Sequence, residues 1–134
     1  MALALMRKTL LIMNIKFKRL DHIMLCIPPG TEQQAREFYG GVLGLEELTD
    51  LGYPLPHGAI WFQIGDIQLH IRAEDVHGVS QRHPAFEVDN LEEARALLEK
   101  HGIAIKNDSK IPDRNRFSFR DPFGNRIELI EMIA

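Results

Sequence analysis

With a single cysteine, Cys26, the chain of 134 residues has no internal disulfide framework and fits a reducing compartment. Cys26 sits in the apolar run "HIMLCI", where a thiol reads as a small buried filler rather than a nucleophile. Charge of one sign is also scarce. A net charge of -3 and a pI near 6.1 provide no surface for a polyanion, so no nucleic-acid partner is expected. Long apolar runs are missing as well. The N-terminal "MALALMRKTLLIMNI" is interrupted by Arg7 and Lys8, falls short of the roughly twenty residues that span a bilayer, and has no small-residue cleavage site after it. The expectation is therefore a cytoplasmic chain without membrane contact, with residues 1–15 as a tail and 16–134 as a single domain.

What is present is a repeated order of elements. The strand "LDHIMLCI" ends in the turn residues "PPG", and Thr31 opens a helix, "TEQQAREFYGGVLG", with Gln34 in the capping-box position and Gly40, Gly41 and Gly44 as stops. A short strand near "LEELTD" follows, then "AIWFQI" and "IQLHI" joined as a hairpin at Gly65-Asp66. The second half repeats this order: strand "HPAFEV", a helix capped by Asn90 and stopped by Gly102, strand "IAIKN", and the pair "RFSFRD" and "NRIELIEM" around the turn "DPFGN". Overlaying the halves matches "AREF" with "ARAL" and "IQLHI" with "IELIE". The predicted fold is α+β: two tandem β-α-β-β-β modules, over about 18–72 and 80–133, forming a curved eight-stranded mixed sheet around a cleft.

Within that repeat Glu128 raises a question, because it stands between Ile127 and Leu129 in a strand that should fill a core. Gln68 is its counterpart in the first module, and His70 shares Gln68's face. His22 and His83 head the first strands of the two modules at nearly equal separations from Gln68 and Glu128. Two imidazoles and a carboxylate on rigid strands suit one divalent ion, with Zn, Ni, Mn, Co and Fe all compatible. Only one of Gln68 and His70 stands level with such an ion. Imidazole is the better donor, so His70 is the expected fourth ligand, with Gln68 contacting substrate or bound water. Trp61 is a candidate pocket wall and Arg116 a candidate anion contact. His57, His77 and His101 fall in loops or at a helix end and need no functional explanation.

The paired modules, the histidines opening "LDHIMLCIP" and "HPAFEVDN", the helix "AREFYGGVLGLE" and the ending "DPFGNRIELIE" resemble the vicinal oxygen chelate superfamily, over about residues 18–133. That group includes glyoxalase I, bleomycin-resistance proteins, fosfomycin-resistance enzymes and extradiol dioxygenases. The resemblance implies a metal cleft lined by His22, His83 and Glu128, with Gln68 departing from the carboxylate or histidine usual in a glyoxalase I. It also implies a homodimer, a small-molecule substrate and a glyoxalase-like enzyme of lyase, isomerase or transferase type, with Glu128 as proton-transfer base. The alternative it implies is a metal-free protein that sequesters an antibiotic or other planar ligand.

Overall fold

The computed structural model describes residues 15–56, 58–75 and 78–133. The tail expected over 1–15 lies, up to residue 14, outside the described residues, as do His57 and His77. Module one comprises β1 (His22–Ile27), a helix that begins as α1 (Glu32–Ala35) and continues as a π-helix (Arg36–Val42), β2 (Glu46–Glu47), β3 (Ile60–Ile64) and β4 (Ile67–Ala73). Module two comprises β5 (Ala85–Glu87), α2 (Leu91–Lys100), β6 (Ile105–Asn107), β7 (Arg114–Arg120) and β8 (Arg126–Met132). The strands form two four-stranded mixed sheets of the same topology, β1-β4-β3-β2 and β5-β8-β7-β6. In each, the first strand runs parallel to the last and the other pairs are antiparallel.

Period-2 alternation decides which way each sheet faces. Ile60 and Phe62 of β3, Leu69 and Ile71 of β4, Phe117 and Phe119 of β7 and Ile127 of β8 are all buried, and they enter one core with Ile27, Leu91 and Leu98. The core belongs to both modules. Phe38 of the first helix meets Phe119 of the second sheet with ring centroids 6.4 Å apart. Because the two apolar faces share this core, the polar faces of both sheets turn away from it.

The helix expected after Thr31 is present but wound differently. Thr31 makes no side-chain cap, and its hydroxyl donates instead to the Pro28 carbonyl at 2.6 Å. The wider turns of the π-helix, closed by Leu43 N donating to Phe38 O at 2.9 Å, bring the consecutive residues Phe38 and Tyr39 both into the core. By contrast α2 follows its sequence signals: Asn90 Oδ1 accepts from Glu93 N at 3.1 Å, and Gly102 takes the left-handed φ of 73° that ends it. At the β3–β4 hairpin Gly65 has φ of 58° and Asp66 does not join it at positive φ, so a glycine-first turn is formed.

"DPFGN" does more than turn the chain. The Asp121 carboxylate accepts from the Phe123 and Asn125 amides at 2.9 and 2.8 Å, and from the Tyr39 hydroxyl of module one at 2.6 Å. Asn125 Nδ2 donates both to Asp121 Oδ2 and to the Cys26 carbonyl of β1, each at 2.8 Å. A buried carboxylate thus joins the modules by hydrogen bonds, without a salt bridge among the described residues. Cys26 itself is half-buried rather than a core filler, because β1 turns it to the polar face with His22 and Met24. Burial, with Glu74 nearby, pushes its thiol up to about 11, which keeps it unreactive at neutral pH.

Candidate functional site

On the first sheet, register places His22 level with Gln68, and His70 level with both Met24 and Trp61. The His70 ring is held between two others: His22 at 4.1 Å and 16°, and Trp61 at 3.9 Å and 1°. Tyr53 meets Trp61 edge-on at 6.4 Å. The tautomers follow from the partners. His22 Nδ1 lies 2.9 Å from Asp21 Oδ2, and this hydrogen bond holds the Asp21 carboxyl below its ordinary value. Nδ1 therefore donates to the carboxylate, and Nε2 is the nitrogen left unengaged among the described residues, the arrangement that orients metal-binding histidines. His70 differs, because its Nε2 is spent on Gln68 Oε1 at 2.9 Å.

Burial first, and the neighbouring His22 second, hold His70 below its ordinary value, with Asp21 opposing. A depressed histidine favours its neutral form in the fold. Its contribution to stability is therefore present above the ordinary value and is lost as pH falls through the folded one. Imidazole NMR is expected to show His70 titrating below a free histidine, and His22→Ala is expected to raise that midpoint. A wild-type midpoint at or above the free value would contradict the stacked arrangement.

The second sheet carries Glu128, Ser118, Arg116, Arg120 and Arg126 on its polar face. Glu128 is only 6% exposed, yet it has partners. Arg116 Nη1 donates to its Oε1 at 3.1 Å, and His83 Nε2 stands 3.5 Å from the same oxygen. Ser109 fixes Arg116 through its carbonyl and hydroxyl, each at 3.0 Å. His83 Nδ1 lies 2.8 Å from the Gln81 carbonyl and 3.3 Å from Arg126 Nη1, an acceptor and a donor, so Nδ1 is the anchored nitrogen and Nε2 the one turned to Glu128. Arg126 links this group to Asp108 at 3.2 Å, a nearly buried carboxylate whose Oδ2 has no partner among the described residues.

The structure thus assembles two half-sites and keeps them on different sheets. His22, Gln68 and His70 occupy one, while His83, Glu128 and Arg116 occupy the other. Among the described residues no three His, Cys, Asp or Glu side chains gather as a metal site. His22 and His70 do not supply two bonds to one point, since nitrogen lone pairs lie in the ring plane and stacked rings direct them side by side. The equal spacing in sequence also conceals a shift. In module one Gln68 N donates to Asp21 O, just before His22, but in module two Glu128 N donates to Pro84 O, just after His83. Ala85, not His83, is therefore level with Glu128, and His83 reaches it diagonally from ahead of β5. Asp108, Arg126 and Asp21 were not legible as site residues, because each acts through a partner distant in sequence or through the adjacent histidine.

The sequence pattern of the Glyoxalase/Bleomycin resistance protein/Dioxygenase superfamily matches residues 19–129. Among solved structures, a glyoxalase family protein from Bacillus anthracis is 38% identical, with a TM-score of 0.78, over 89% of this chain and 98% of its own. Lactoylglutathione lyase from Agrobacterium tumefaciens is 22% identical, with a TM-score of 0.68, over 87% and 96%. A variant of the fosfomycin resistance protein FosX from Listeria monocytogenes, solved with Mn(II) and a dihydroxypropylphosphonic acid, is 17% identical, with a TM-score of 0.70, over 89% and 95%. No curated protein matches the chain in sequence. Among the described residues no helix is long and apolar enough to cross a membrane. With the duplicated topology and a matching pattern over most of its length, the chain belongs to the Glyoxalase/Bleomycin resistance protein/Dioxygenase superfamily.

Proposed function

We propose that the protein is a metal-dependent, glyoxalase-like enzyme whose ion is held by His22 of one copy and by His83 and Glu128 of a second. The observation that carries this reading is His83 Nε2 and Glu128 Oε1 standing 3.5 Å apart on one sheet while His22 is anchored by Asp21 on the other. His22 Nδ1 is held by Asp21 Oδ2 and His83 Nδ1 by the Gln81 carbonyl, so in each ring Nε2 is the nitrogen left to face an ion. Two imidazoles and a carboxylate fit a divalent ion by donor type, with Zn, Ni, Mn, Co and Fe all acceptable. The half-sites lie on polar faces turned away from the shared core, so a homodimer that sets one sheet's polar face against the other sheet of its partner completes them. When bound, the ion supplies a Lewis acid for two neighbouring oxygens of a small substrate.

The remaining roles belong to the chain's own groups. Glu128 is the candidate proton acceptor; Arg116 and His83 both address its Oε1, which fixes the direction of the carboxylate. His70 and Gln68 act as one hydrogen-bonded unit, with His70 oriented by the Trp61 face, and Gln68 is placed beside His22 to orient substrate. His70 as a fourth ligand requires it both to leave its stack on His22 and to exchange its Gln68 bond for the ion, so its contribution to affinity is smaller than that of the other three. The experiment is elemental analysis of protein purified without chelator. One ion per chain is expected in the wild type, and none in His83→Ala or Glu128→Ala. Unchanged metal in both variants overturns the ligand assignment.

The ring stack of His22, His70 and Trp61, with Tyr53 edge-on, favours a second reading in which the cleft sequesters a planar ligand. A metal-free wild type that binds such ligands would select it.

A further inference from the structure

We propose that a cavity of about 580 Å³ at the end of the second sheet, lined in part by Lys106, Ser118, Arg120 and Arg126, is a binding site for a tetrahedral oxyanion, a phosphate or phosphonate group. Arg120 and Arg126 are directly opposed across β7 and β8, and like charges directly opposite on one face destabilise a sheet. Only one of them is offset. Arg126 is paired with Asp108, whereas Arg120 gives Nη1 to the Ser80 and Gly124 carbonyls and, like Lys106, forms no ion pair among the described residues. Neutral carbonyls orient the guanidinium without cancelling its charge. A bound anion would remove the cost of the opposed pair, as the guanidinium fork matches phosphate oxygens.

The rest of the wall is mostly apolar, with Phe38, Val42, Ile103, Phe119 and Pro122, so the polar groups gather on the side formed by β6, β7 and β8. Ser118 is level with both Lys106 and Glu128 across its two neighbouring strands, so it lies on the sheet between the cation and the half-site. Lys106, Ser118, Arg120 and Arg126 supply donors from three adjacent strands, enough for the several oxygens of a tetrahedral group. Asp121 also lines the cavity, but both of its oxygens are engaged by Tyr39, Asn125 and backbone amides. His101, at the end of α2, stands on the same wall. That the oxyanion is part of the substrate rests on the proposed function; that the cavity binds one does not.

The test uses metal-free protein, titrated with sodium phosphate at constant ionic strength and followed by amide NMR. Saturable shifts at Lys106, Ser118 and Arg120 are expected, as is a loss of about tenfold in affinity for Arg120→Ala, with part retained in Arg120→Lys. Methylphosphonate should compete and acetate should not. Non-saturable binding, saturable shifts centred elsewhere, or equal affinity in wild type and Arg120→Ala would overturn the site. Should Arg120→Ala fail to fold, the wild-type shift map decides alone. Because no metal is present, phosphate binding in a protein that never takes up an ion would sink the proposed function and leave this site standing.

Discussion

Mixing the His22→Ala and Glu128→Ala variants is expected to restore metal binding that each lacks alone. In a dimer whose sites each draw His22 from one copy and Glu128 from the other, either substitution destroys both sites of a homodimer. A mixed dimer concentrates both losses in one site and leaves the other intact. Random exchange of the two variants should therefore recover about a quarter of the wild-type metal. Recovery has no other simple route, because neither chain alone carries the full donor set. Elemental analysis before and after unfolding and refolding the mixture together reads the result. Continued absence of metal in a mixture shown to contain mixed dimers would exclude a shared site, and full metal in the separate variants would exclude the ligands.

Asp121→Ala should cost more stability than any single change in the half-sites. The substitution strips the buried Tyr39 hydroxyl, the Asn125 amide and two backbone N–H groups of their acceptor at once. Each unsatisfied buried group costs about 1–3 kcal/mol, and partial hydration of the turn recovers some of it, so a loss of about 4 kcal/mol is expected. That is a large part of the roughly 5–15 kcal/mol by which a domain is stable. Tyr39→Phe removes one partner and keeps the ring in the core, so about 1 kcal/mol is expected there. Urea unfolding of the three proteins checks both values. An Asp121→Ala midpoint indistinguishable from that of Tyr39→Phe would mean that the carboxylate does not join the modules.

Alternation of apolar residues, together with Gly65, Asn90 and Gly102, determined the order of strands and helices, because such signals act within a few residues of themselves. The duplication was legible for the same reason, since it repeats those local signals. Glu128 was legible as an anomaly, being a carboxylate at a position where the pattern wants only surface or core. The pairing of the half-sites was not. Equal spacing placed His22 and His83 in equivalent positions, but parallel strands have no connecting turn to set their register. Packing of β1 and β5 against the shared core fixed it two residues apart. Likewise His70 is the better donor by chemistry alone, and only the tertiary structure stacks it between His22 and Trp61 and gives its Nε2 to Gln68. The sequence determined which donor types the strands carry. Whether they converge depends on which faces bury each other, and burial of the apolar faces in one core left the two polar half-sites apart.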